Sequence, residues 1–188
     1  MRRFADSIYL FWAVLALPAL WFLAEHFVLH GKIDVVPWTG ILSGWLLIVT
    51  LMVTPLQYVL GPMPWLKMRR RHLGVASFGY ATLHVFFWLV SANLHELIRS
   101  FFQMDMLTGW VSFFIMAALT LTSNDASVRS MGTGWKRLQR WVYPVAVLAY
   151  IHWLMTTAKV LDAVLYVAPL IALTIWRVVR QRSRPRGV

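Results

Sequence analysis

The chain has 188 residues, enough for one domain, and is 60% hydrophobic with only 13% charged residues and no cysteine. A soluble domain carries about 25% charged residues, so lipid is the expected solvent, and the missing cysteines exclude disulfides, iron–sulfur clusters, thiol nucleophiles and Cys-ligated zinc. The net charge of +11 falls between apolar runs, which points to membrane orientation and anionic lipid headgroups rather than nucleic acid.

A bilayer core of about 30 Å takes roughly 20 apolar residues of helix. The first uncharged run is 7–24; it is longer than a signal-peptide core and no small-residue cleavage pattern follows it, so it reads as a retained helix. The second span is predicted at about 39–60, closed by Gly61, Pro62 and Pro64. The third is predicted at 73–92, the fourth at 107–123, the fifth at 141–158 and the sixth at 161–177. Pro18, Pro55, Pro144 and Pro169 fall within or near spans, which membrane helices tolerate when neighbours satisfy the freed carbonyls. The fold class is therefore an all-α integral membrane bundle of six helices, a single domain over 1–188 with a basic tail at 178–188 and no evident internal repeat.

Fifteen of the 18 Lys and Arg residues fall on one side of this arrangement. They are Arg2 and Arg3, the second-to-third loop with Lys67 and Arg69–Arg71, the fourth-to-fifth loop with Arg129, Lys136, Arg137 and Arg140, and the tail. By the positive-inside rule both termini and these loops are cytoplasmic. Trp38, Trp65, Trp135 and Trp141 lie at span ends, as interfacial belts require.

Ionisable groups inside a membrane are costly and functional by default. Two histidines lie deep: His84, twelve residues after His72, and His152, twelve residues after Arg140. Both helices leave the basic side, so at 1.5 Å per residue both imidazoles sit about 18 Å from it. Two histidines at one depth on helices running the same way can bind opposite faces of one haem iron, an arrangement suited to electron transfer. The alternative is a pair hydrogen-bonded across a helix interface. Gly74, Ala76, Gly79 and Ala81 before His84, and Ala146 and Ala149 before His152, would let a flat macrocycle approach; they equally serve helix packing. Trp88 and Trp153 lie close enough to pack on such a group.

The remaining histidines read differently. His26, His30 and His95 are expected to be interfacial polar residues, with a labile outer-face metal as the alternative; His95-Glu96 lacks the second histidine of a zinc-protease helix. His72 is expected at the surface, although with Gln139 it forms a second pair at one depth, a possible second site. Arg69, Arg70, Arg71 and Arg140, with Arg137, set the topology and could also bind a flavin phosphate or haem propionates, which guanidinium grips bidentately. No GxGxxG loop occurs, so no nucleotide domain is expected.

Four segments in order, TGILSGWLLIVTLMVTPL (39–56), RRRHLGVASFGYATLHVFFW (69–88), LTLTSND (119–125) and GWKRLQRWVYPVAVLAYIHWL (134–154), resemble the ferric-reductase-like transmembrane family, most closely its bacterial MsrQ (YedZ) branch. The resemblance implies an inner-membrane haem b protein, with FMN association also assigned to the branch. It implies an electron-transfer subunit between a cytoplasmic flavin reductase, or the quinone pool, and a periplasmic molybdopterin enzyme that reduces methionine sulfoxide. His84 and His152 fall on the family's ligand positions. The branch carries a second fifth-span histidine where this chain has Gln139, so one haem is expected rather than two. A stand-alone ferric or quinone reductase is the second reading, and a non-redox membrane scaffold or transporter the third.

Overall fold

The computed structural model describes residues 7–29, 31, 33–157 and 160–182. Arg2, Arg3, His30, Lys32, Lys159 and the tail residues 183–188 lie outside the described residues. Helix α1, Ile8–Ala24, is capped by the Ser7 hydroxyl, which accepts from the Leu10 amide, and continues as a π-helical turn over Glu25–Leu29. Helix α2 spans Val35–Leu60, with the Asp34 carboxylate accepting from the Val36 amide at its start. Gly61, at φ +88°, ends it, a left-handed conformation that a side chain disfavours.

Helix α3, Pro64–Ser91, corrects the predicted 73–92. Pro64 begins the helix instead of breaking the chain, because proline at the first helical position has no amide hydrogen to lose. Lys67 and Arg69–Arg71 therefore sit on the opening turns of α3, not in a loop. Short helix α4, Leu94–Ser100, leads to α5, Met104–Leu121. The connection read as a basic loop is two more short helices, α6 (Asp125–Met131) and α7 (Thr133–Gln139), hinged at Gly132 with φ +52°. Helix α8, Val142–Thr156, and α9, Val160–Arg182, complete the chain, and there is no strand among the described residues.

Four helical stretches are long and apolar enough to cross a membrane: Ile8–Leu29, Val35–Leu60, Pro64–Ser91 and Met104–Leu121. Many of their large apolar side chains are exposed, among them Val14, Leu17, Leu20, Leu89 and Phe114, as lipid-facing surfaces require. Helix α8 has only 15 residues, about 22 Å at 1.5 Å per residue.

The bundle rests on two antiparallel pairs, α2 with α3 and α5 with α8. In the first, Ser43 donates to the Ser77 carbonyl at 2.9 Å and Ser77 donates back to the Ser43 carbonyl at 2.8 Å. Such reciprocal bonding needs the small side chains that let membrane helices approach closely. The two pairs meet in a core of Leu47, Leu51, Met116, Leu119 and Val145. A second cluster, Phe22, Val35 and Phe87, ties α1 to the first pair.

At the basic end, Arg71 on α3 bonds Asp125 of α6 at 2.6 Å. The hydrogen bond and charge of Arg71 hold the Asp125 carboxyl below its usual range. The stabilisation this adds is present above the ordinary carboxylate pKa and is lost as pH falls through the depressed value. Asp125 is well exposed and Arg71 partly so, and water screening keeps the effect small. Arg71→Gln is expected to move the Asp125 titration up toward the ordinary range, read by carboxyl-selective NMR in detergent, with little change in stability at neutral pH.

Candidate functional site

His84 on α3 and His152 on α8 meet at the centre of the bundle, their ring centroids 6.2 Å apart and their planes at 78°. The twelve-residue spacing from the basic boundary places them at one depth; the packing of α3 and α8 with α2 and α5 brings the two rings together with their planes nearly perpendicular.

Each ring is held by the same device. His84 Nδ1 lies 2.8 Å from the Val36 carbonyl, and His152 Nδ1 lies 2.7 Å from the Asp105 carbonyl. A carbonyl only accepts, so each Nδ1 carries the hydrogen and each Nε2 is left as the ring nitrogen with a free lone pair. Metal-bound histidines generally have this outer hydrogen bond. Val36 and Asp105 are each the second residue of their helix. Each carbonyl also accepts from a threonine three residues on: Thr108 Oγ1 donates to Asp105 at 2.7 Å, and Thr39 Oγ1 shares its hydrogen between the Val36 carbonyl at 2.9 Å and the Val35 carbonyl at 2.8 Å. The next residue in each case is glycine. A Cβ at Gly40 would lie 3.0 Å from His84 Nδ1, and a Cβ at Gly109 would lie 3.0 Å from His152 Nδ1 and Cε1.

Both histidines line a cavity of about 780 Å³ that opens between the two helix pairs, within the range of roughly 300–1,000 Å³ typical of ligand pockets. Its wall is mainly apolar and includes Trp88, Trp110, Trp153, Met106 and Met116. Ala81, Ala146 and Ala149, expected to admit a flat group, do line it. Gly74 and Gly79 do not: a Cβ at Gly74 would meet Thr50, and at Gly79 nothing.

Two imidazole nitrogens each about 2 Å from a shared metal put ring centroids roughly 6 Å apart, in keeping with the observed spacing. No group of three or more His, Asp or Glu that could hold a bare ion occurs among the described residues. Two histidines suffice when a macrocycle supplies the other ligands, as in haem. The paired free nitrogens, the cavity and the two glycine clearances therefore fit that group.

The other candidate residues are dispersed. The Arg69 guanidinium is buried over the rings of Phe11 and Trp65, at 5.0 and 5.9 Å. Arg70 bonds the Thr50 carbonyl and the Thr54 hydroxyl on α2, each at 3.1 Å. Arg71 is paired with Asp125, and Arg140 is exposed beyond α7. His72, expected at the surface, is half-buried with its Nδ1 enclosed and its ring edge-on to Phe11 and Trp12. Gln139 turns toward α5, donating to the Leu119 carbonyl at 3.1 Å and to Thr122 Oγ1 at 3.3 Å. His72 and Gln139 thus face different neighbours. His26 packs on Phe27 and Phe87, and His95 is exposed on α4.

The residues that sequence reasoning passed over are Gly40 and Gly109 with their threonines. The signal was there: Thr-Gly-x-x-Ser occurs at 39–43 and again at 108–112, with a histidine 44 residues after the first glycine and 43 after the second. The pattern repeats across the two helix pairs, where no repeat was expected.

Fold and site define a multi-pass helical membrane protein with two half-buried, backbone-oriented imidazoles facing a shared cavity. The family model described as "Ferric reductase like transmembrane component" matches residues 39–150, and the chain belongs to this family. Three similar proteins are each named protein-methionine-sulfoxide reductase heme-binding subunit MsrQ. The one from Cronobacter sakazakii is 39% identical, over 80% of this chain and 78% of that protein. The one from Azospira oryzae is 37% identical, over 75% and 63%, and the one from Brucella anthropi is 33% identical, over 96% and 89%. This chain therefore spans less than two thirds of the Azospira protein and most of the other two. No solved structure matches.

Proposed function

We propose that this chain is the haem-binding electron-transfer subunit of a bacterial methionine sulfoxide reductase system, holding one haem b between His84 and His152. The observation that carries the reading is the matched pair of imidazoles, each with Nδ1–H tied to a helix carbonyl and Nε2 free, 6.2 Å apart at the wall of one cavity. The names of the similar proteins support it.

When bound, haem supplies a one-electron iron couple. The chain's own residues do the rest. His84 and His152 would hold the iron between them, a two-histidine ligand set that suits electron transfer rather than binding of oxygen or substrate. The Val36 and Asp105 carbonyls fix the tautomer and raise ligand basicity. The apolar wall excludes water. One haem is favoured because Gln139 is spent on α5 and His72 packs against α1.

The chain would sit in the inner membrane with six spans, α8 and α9 supplying the last two, and both termini in the cytoplasm. Electrons would enter at the basic face from a cytoplasmic flavin reductase or from quinol. They would leave to a periplasmic molybdopterin-containing reductase. FMN, if bound, would lie by the basic opening turns of α3, with its phosphate near Arg69, Arg70, Arg71 or Arg140. Arg70 and Arg71 already hold protein partners, so such a phosphate would compete with them.

Stopped-flow mixing tests the assignment. Purified protein reduced by a stoichiometric amount of dithionite should be reoxidised completely by a catalytic amount of the periplasmic reductase with methionine sulfoxide, only up to the reductase's own electron capacity by the reductase alone, and not by methionine sulfoxide alone. Rapid reoxidation by Fe(III) or quinone, with no response to the reductase, would instead identify a stand-alone ferric or quinone reductase.

A further inference from the structure

The two histidines are held by two copies of one structural element, and the element extends beyond the ligands. In each copy a helix opens with a carbonyl at its second position. The threonine three residues on donates to that carbonyl, the histidine of the facing antiparallel helix donates to it as well, and the glycine after the threonine lies against the imidazole. Val36, Thr39, Gly40 and His84 form one copy; Asp105, Thr108, Gly109 and His152 form the other.

We infer that Gly40 and Gly109 are positioning residues that set the planes of the two imidazoles, and that Thr39 and Thr108 tune how strongly the shared carbonyls hold Nδ1–H. This rests on the haem assignment above. Clearance is the physical reason for glycine. A Cβ 3.0 Å from a ring nitrogen is too close for the ring to stay where it is. The ring is tethered at Nδ1 to the carbonyl of the same helix as the glycine, so it yields by turning about its own bonds. Turning by even a few tenths of an ångström strains the bond to the carbonyl and changes the angle between the two planes, now 78°. Thr108 acts on the same carbonyl oxygen, and Thr39 does so while sharing its hydroxyl hydrogen with the Val35 carbonyl, so the effect should be larger at Thr108. With the hydroxyl gone, the oxygen accepts more strongly from Nδ1–H, and the imidazole becomes a more electron-rich ligand. Outer hydrogen-bonding partners of metal-bound histidines typically matter by about 10–100-fold in affinity.

The test uses the full chain purified with its haem. Low-spin EPR reports the angle between axial imidazole planes, and near-perpendicular planes give a strongly anisotropic signal. Gly40→Ala and Gly109→Ala should each shift this signal and weaken haem retention by about 10–100-fold. Gly79→Ala, whose Cβ meets nothing, should match the wild type in both. Thr39→Val and Thr108→Val keep the side-chain shape and should each lower the midpoint potential, so the inference remains testable if an alanine variant fails to fold. Wild-type EPR and haem retention in both alanine variants would overturn the glycine assignment, and unchanged potentials in both valine variants would overturn the threonine assignment. Either result leaves the haem reading intact. A colourless wild-type protein would overturn the haem reading itself.

Discussion

His84→Ala and His152→Ala are each expected to abolish the low-spin haem spectrum. Each removes one of two facing imidazoles and leaves the other ring, still tied to its carbonyl, with no partner across the cavity. A single remaining ligand gives at best a five-coordinate, high-spin iron and weak retention, and the double variant should purify colourless. Methionine sulfoxide reduction driven through the membrane should fall to the level seen without the subunit. Wild-type low-spin haem in the double variant would show that the axial ligands lie elsewhere. The fold should survive all three changes, because neither histidine belongs to the clusters that tie the helices together.

Ser77→Leu is expected to be the most damaging change away from the histidines. Ser77 is fully buried and exchanges hydrogen bonds with Ser43 across the closest approach of α2 and α3. Leucine would push the helices apart. Overpacking typically costs about 1–3 kcal/mol, and an interhelical hydrogen bond in a membrane adds on average about 0.6 kcal/mol. The displacement also reaches the site, since Val36 and Gly40 sit on α2 and His84 on α3. Thermal unfolding in detergent should therefore show a lowered midpoint together with loss of haem. Ser77→Ala, which removes the hydroxyl but keeps the space, should cost far less and retain haem. Equal stability of the leucine variant and the wild type would mean that this contact does not hold the pair together.

Much of the architecture was legible in the residues because lipid imposes simple rules. Long apolar runs marked the four helices that are long and apolar enough to cross a membrane, and Gly61 ended α2 where expected. What was not legible depended on neighbours. Pro64 reads as a breaker in isolation and serves as a helix start, which moves Arg69–Arg71 from a loop onto α3. Asp34 lies five residues before the predicted second span, yet its carboxylate caps the helix and draws the boundary back to Val35. The polar connection after α5 hides two short helices, because seven-residue helices leave almost no periodic signal.

The site divides in the same way. Depth singled out His84 and His152, since counting from a basic boundary needs only helix rise. Their orientation could not be counted. Small residues were sought on the histidines' own helices, whereas the glycines that touch the rings lie on α2 and α5, 44 and 43 residues away in sequence. The basic residues looked like one cluster along the chain. Helical geometry sends Arg69 toward α1, Arg70 toward α2 and Arg71 toward α6.

The most direct measurement is a reduced-minus-oxidised spectrum of the purified chain, with haem quantified by pyridine haemochrome. One low-spin haem b per chain is the predicted result. A colourless protein, or haem that is high-spin in the wild type, would contradict a bis-histidine site at His84 and His152.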